Sequence, residues 1–329
     1  MAFRVAARTI LELGAELIST DQIALYELIK NASDAGSKRA NINIVTVYRF
    51  SQLRNVIQRL EATERAAMLA GRSTHVEVAR LCEEVKRTLD ESSPAPDRTR
   101  FLELLGQPRD LRDFATRLQK AFDDVNRVEV ADTGDGMTLR DLNDVFLMIG
   151  TRSRLDAGTG KHYVGGKGIG RLSAMRLGSR LEVRTAQEGE DHWNLLHIDW
   201  TIFENVGASN LEEISVAPQK GMPKDPTVHG TSILIRGLKA DWDKARVKRM
   251  ADTYFDRLFD PFGKRARYPL VIHVNGSQVP IAGFDRQVYA EAQGRADITY
   301  DVDGPQGPRM TIEMHFTRHG REKTGSGSV

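Results

Sequence analysis

The run "ALYELIKNASDAGS", residues 24–37, constrains the chain more than any other stretch. Its apolar residues recur at spacings of three and four, the pattern of an amphipathic helix over 21–35, and Ser19, Thr20 and Asp21 supply an N-cap signal. Yet Glu27, Asn31 and Asp34 fall near the same stripe as the apolar positions. Glu27 and Asn31 are four residues apart and Asp34 is three further on, so one helix face carries a line of oxygen-bearing side chains. A solvated polar face would account for any one of them alone.

The 329 residues, 40% of them hydrophobic, can bury a sizeable core and imply one large domain or two. Lys plus Arg number 47 against Asp plus Glu 45, a formal net charge of +2, so no global demand for nucleic acid or an anionic membrane arises. The single cysteine, Cys82, excludes a disulfide framework and a cysteine zinc site, and fits a reducing cytosol. The opening residues lack the apolar core of a signal peptide, and no apolar run reaches membrane-spanning length. The expectation is a soluble, cytoplasmic protein.

Residues 4–13 have helical spacing, and a strand follows at "ANINIVTVYRF". From 51 to 126 the chain turns to Arg, Glu, Leu and Ala at helical spacing, with one break at "ESSPAPD", which predicts an inserted helical pair or small bundle. "RVEVAD" reads as a strand ending in the glycine turn "TGDGM", followed by the helical "LRDLNDVFLMIG". A polar glycine-bearing loop leads into the helix "RLSAMRLG" and strands at 181–185 and 194–200. Residues 201–228, with Pro218, Pro223 and Pro226, read as loop before the strand "GTSILIRG". A helix around 241–260, a hairpin at the Asn-Gly of "YPLVIHVNGSQVPI" and a strand "MTIEMHF" follow, and "EKTGSGSV" reads as a linker.

Spacing separates three nucleotide-binding readings of the glycine-rich segments. A P-loop fails, because after Gly160 the lysine, Lys167, comes one place late and Gly168 stands where a hydroxyl is needed. A dinucleotide fingerprint is weak, because "GGKGIGRLS" follows a polar loop and "TGDGMT" lacks the third glycine. Taken together, "ELIKNASDAG", "DTGDGM", "GGKGIGR" and "HGTSILI" resemble, in order, the N box, G1, G2 and final Gly-Thr elements of the GHKL ATPases. That superfamily includes gyrase B subunits, heat-shock chaperones, sensor histidine kinases and MutL proteins. The flanking residues look most like a bacterial branch near its chaperone-like and MORC-like members.

The resemblance implies an α+β, Bergerat-type two-layer sandwich: a mixed, mostly antiparallel sheet covered by helices. Residues 1–240 would be the ATP-binding domain, with the helical insertion at about 51–126, and 241–329 a linker helix and the start of a transducer-like α/β segment. It implies ATP and Mg2+ as ligands. Asn31 would coordinate the magnesium that bridges the phosphates, and Glu27 would orient or deprotonate the attacking water. Asp34 and Lys30 would support the phosphate side. Asp132 would accept from the adenine amine, joined by Thr231. Gly134 and Gly136 would let the backbone turn tightly, and Met137 would pack on the base. Gly166, Gly168 and Gly170 would free the N–H groups of Lys167, Gly168, Ile169 and Gly170 to face phosphate, with the Lys167 side chain in reach.

Residues 151–166 would form a lid, in which Arg152, Arg154, Lys161 and His162 are read as solvated. Glu27 favours hydrolysis by water, and the first helix contains no phosphoacceptor histidine. The expected behaviour is an ATP-hydrolysing conformational switch, with homodimerisation and an unidentified client or effector. The alternatives are a binding module without hydrolysis, or a DNA-remodelling or phage-defence ATPase, which the net charge does not support. No lysine after residue 240 matches the transducer residue that touches γ-phosphate in some relatives.

Overall fold

The computed structural model describes residues 9, 12, 18–70, 75–147, 173–205, 216–255, 269–281, 294–301, 309–318 and 321–328. The chain divides into two compact units, Met1–Ala282 and Gly283–Val329.

The first unit opens with helix α1 (Asp21–Asp34) and strand β1 (Ala40–Val45). Four helices follow: α2 (Phe50–Ala70), α3 (His75–Arg87), α4 (Ala95–Leu105) and α5 (Leu111–Val125). Strand β2 (Arg127–Asp132) leads to a short α6 (Leu139–Asp141), which runs into a π turn at Leu142–Phe146. Then come α7 (Ser173–Leu177), β3 (Gly178–Ala186), β4 (His192–Asp199), α8 (Thr201–Asn205), β5 (Gln219–Pro223) and β6 (Gly230–Leu238). The unit ends with α9 (Lys244–Tyr254), β7 (Leu270–Val274) and β8 (Ser277–Val279). The strands form one sheet in the order β5-β4-β3-β6-β2-β1-β7-β8. Every neighbouring pair is antiparallel except β1 with β7. This is the two-layer α+β architecture expected.

Strand register builds the core in rows. Val279, Ile272, Ile42, Val130, Ile233, Val183 and Leu196 lie side by side across seven strands. Val274, Ile44, Val128, Ile235, Leu181 and Ile198 form a second row. These side chains share one core with Leu25, Leu28 and Ile29 of α1 and Phe114, Leu118 and Phe122 of α5. Burial of each such side chain stabilises the fold by roughly 1.5–3 kcal/mol, which is why the alternation in the strands survives into the structure.

The excursion at 51–126, read as an inserted helical pair or small bundle, holds four helices among the described residues, and its last helix belongs to the sheet's cover. Asn126 ends α5 fully buried, accepting from Val47 N–H (2.7 Å) and donating to Tyr48 C=O (2.8 Å), which ties the end of the excursion to its beginning. The boundary expected after residue 240 falls inside the first unit, because β7 pairs with β1 and extends the sheet. The Asn-Gly hairpin is present: Asn275 (φ 50°) and Gly276 (φ 76°) join β7 to β8. Residues 201–228, read as loop, contain α8 and β5; β5 is an edge strand, where a proline costs no ladder bond.

In the second unit β9 (Gly294–Asp301), β10 (Arg309–Arg318) and β11 (Arg321–Ser328) form an antiparallel sheet ordered β11-β10-β9. The segment read as a linker is therefore β11, held by backbone pairing to β10, which asks little of its small side chains. Among the described residues, no helix is long and apolar enough to cross a membrane.

Candidate functional site

At the C-terminal end of β2 the inward-facing row turns polar. Asp132, Thr231, Thr185 and Asn194 lie side by side on β2, β6, β3 and β4, with Ala40 next to Asp132 on β1. Thr185 and Asn194 are buried, and the row is laced by hydrogen bonds. The Thr185 and Thr231 hydroxyl oxygens are 2.9 Å apart, and Thr185 Oγ1 lies 3.1 Å from the Gly230 carbonyl. Met137 is gripped at both backbone groups: its N–H donates to Thr185 Oγ1 (2.9 Å) and its C=O accepts from Asn194 Nδ2 (2.9 Å). Glu190 accepts from the same Asn194 amide at 3.1 Å.

The turn leaving β2 is packed too closely for side chains. A Cβ on Gly134 would stand 2.5 Å from the Ala35 carbonyl oxygen, and one on Gly136, which has φ +71°, would stand 1.9 Å from that of Ala186. The Asp135 N–H donates to Ala35 C=O (2.8 Å), so the turn is stitched to the end of α1. His229 Nδ1 lies 2.6 Å from the Gly134 carbonyl oxygen; since a carbonyl only accepts, that nitrogen carries the proton. Asp132 Oδ1 accepts from Gly134 N–H at 2.7 Å. Burial pushes the Asp132 carboxyl up to about 6, opposed by the Gly134 and Thr231 N–H groups and by His229.

Helix α1 is fixed at both ends. Thr20 Oγ1 accepts from Ile23 N–H, the predicted cap. Asp21 accepts from Arg176 of α7 (3.1 Å) and Arg246 of α9 (2.6 Å). Ala24, Leu25, Leu28, Ile29 and Ala32 are the buried stripe, and Glu27, Lys30, Asn31 and Asp34 stand half-buried beside it.

The structure thus brings Asp132, Gly134, Gly136, Met137 and Thr231 to one end of the sheet, against the end of the helix that carries Glu27, Asn31 and Asp34. Gly166, Lys167, Gly168, Ile169 and Gly170, and the lid residues 151–165 with Arg152, Arg154, Lys161 and His162, lie outside the described residues. Thr185, Asn194 and His229 escaped the sequence analysis. A signal existed for the first two: in "LEVRT" and "NLLHI" a polar residue occupies an inward position of the alternation.

Residues 115–231 match the family described as "Histidine kinase-, DNA gyrase B-, and HSP90-like ATPase". The matched window runs from α5 to the start of β6, so α1 lies outside it. Over 174 residues, 51% of this chain, the sequence is 27% identical to a Herpetosiphon aurantiacus protein named "Putative type II restriction enzyme HgiDII", and the chain spans 26% of that protein's length. With the mixed sheet, the G1 turn after β2 and the polar row above the core, the match identifies a GHKL-type ATPase domain in this chain.

Proposed function

We propose that the chain binds Mg-ATP between the polar row and α1 and hydrolyses it slowly, as a conformational switch that closes a lid, dimerises and drives an effector. The observation that carries this is one juxtaposition: the Asp132–Thr231 pair, with the turn at Gly134–Gly136, is stitched to the end of a helix bearing Glu27 four residues before Asn31. Asp132, ionised at neutral pH, suits an amine donor on the base. Asn31 offers one neutral oxygen on a half-buried face, which fits a magnesium ion that arrives with phosphates and keeps most of its waters. When bound, that ion neutralises phosphate charge. Glu27, one turn away, would orient or deprotonate the attacking water, and the N–H groups of Lys167 to Gly170, with the Lys167 side chain, would hold the phosphates. Lid and dimer rearrangement, rather than chemistry, would then limit turnover.

Calorimetric titration with Mg-ADP tests the binding claim: the wild type should bind, and Asp132→Asn should weaken binding at least about tenfold. Light scattering with a non-hydrolysable ATP analogue tests dimerisation.

The similarity to a protein named as a restriction enzyme favours a second reading, in which the switch serves DNA processing. Binding of duplex DNA that weakens steeply with salt and depends on ATP would support it. DNA binding absent at low salt would remove it.

A further inference from the structure

One buried hydroxyl joins the exit of α1 to the turn after β2. Helix α1 closes in a Schellman motif: Gly36, with φ +72°, donates its N–H to Ser33 C=O (3.1 Å), and Ser37 donates its N–H to Ala32 C=O (3.3 Å). Ala35 N–H donates to Asn31 C=O (3.0 Å), so the backbone from Asn31 to Ser37 is one continuously hydrogen-bonded piece. Ser37 is 6% exposed. Its hydroxyl donates to Arg39 C=O (2.6 Å) and accepts from the N–H groups of Thr133 (3.1 Å) and Arg39 (3.3 Å). Each partner is a backbone group that can only donate or only accept, so the direction of every bond is fixed, and the one proton and two lone pairs are all used. The Thr133 hydroxyl, at 3.5 Å, lies beyond the normal O–H···O range. Past the last β1–β2 pair, Ala40 with Asp132, two bonds therefore hold the turn to the exit of α1: Thr133 N–H to Ser37 Oγ, and Asp135 N–H to Ala35 C=O (2.8 Å). Of the two, only the first is made by a side chain.

We propose that Ser37 is a positioning residue for hydrolysis: it keeps the Gly134–Gly136 turn, at the base end of the site, in register with the α1 face that carries Glu27 and Asn31, at the phosphate end. This rests on the ATP-hydrolysing function proposed above. Ser37 acts on the spacing between two sets of contacts and belongs to neither. Affinity comes from contacts that a nucleotide can keep while the turn shifts. Attack of water on phosphorus tolerates far less, since a misplacement on the order of 1 Å costs up to about a hundredfold. Loss of the Ser37 bond therefore falls on kcat and spares binding.

The test is kcat for magnesium-dependent ATP turnover, beside the Mg-ATP dissociation constant, on the full chain in two pairs of proteins that differ in the hydroxyl. One pair is the wild type and Ser37→Ala; the other is Ser37→Thr and Ser37→Val, whose β-branched side chains are close in shape, so any crowding by the added methyl is common to both. Within each pair the protein without the hydroxyl should lose about tenfold or more in kcat, with its dissociation constant changed by no more than about threefold. Amide hydrogen exchange at Thr133 should quicken in Ser37→Ala, because its N–H has lost its acceptor. A Ser37→Ala protein that melts lower but keeps its kcat per folded molecule makes the hydroxyl merely structural and overturns the proposal. So does a dissociation constant that rises as much as kcat falls. Either result leaves ATP hydrolysis by the wild type standing. A wild type that turns over no ATP overturns both readings.

Discussion

Gly136 shows how little freedom the site leaves its backbone. It has φ +71°, and an added Cβ would stand 1.9 Å from a carbonyl oxygen. Gly136→Ala should therefore cost about 2–5 kcal/mol in denaturant melts, from left-handed strain plus overpacking. Gly189, with φ +87° and nothing within 4 Å of its added Cβ, is the control; Gly189→Ala should cost only about 1–2 kcal/mol. Asp132 supplies a pH signature. Its carboxyl is raised from 3.8 to about 6. The folded state thus holds a proton that the unfolded chain releases at lower pH. The stability this gives is full below the ordinary carboxylate range and is lost as pH rises through about 6. Stability curves of the wild type should fall across that window relative to Asp132→Asn. An amine donor favours the ionised form, so nucleotide binding should weaken below about pH 6 and release protons near it, readable by calorimetry in buffers of different ionisation enthalpy.

Among the elements, α1 carries Glu27, Asn31 and Asp34 and is tied at its end to the turn after β2. Asp21, with its side chain 13% exposed, joins the start of α1 to α7 and α9 through two arginines. Asp21→Ala strands both cations and should cost about 2 kcal/mol, between exposed and buried ion-pair values. Arg140→Ala, which breaks a pair whose arginine is 91% exposed, should leave the melting temperature unchanged. Local signals made α1, its Thr20 cap and the Asn275-Gly276 hairpin legible in the sequence, because each depends on neighbours within a few residues. Thr185 and Asn194 were not legible as site residues. Their inward positions in the alternation mark them as polar residues facing the core, but their role exists only once β3 and β4 are in register with β6 and β2. The same non-locality hid the pairing of β7 with β1, which joins residues more than two hundred positions apart, and hid β11, whose pairing is by backbone.

At the scale of the molecule, the division at Ala282 has a direct consequence. A chain ending at 282 should unfold cooperatively and keep its ADP affinity. A chain ending at 240 loses α9, β7 and β8, bares the edge of β1, and should aggregate or melt far lower. Thermal melts and titrations of the two truncations distinguish that boundary from one after residue 240. The central claim, that the α1 face and the polar row together form an ATP-hydrolysing site, is tested most directly by magnesium-dependent ATP turnover and binding in the wild type, Glu27→Gln and Asn31→Ala. The account predicts slow turnover by the wild type. Glu27→Gln should bind ATP within a few-fold of wild type yet lose at least about a hundredfold in rate, and Asn31→Ala should lose magnesium-dependent binding. Turnover that survives Glu27→Gln undiminished, or a wild type that binds no adenine nucleotide, would contradict it.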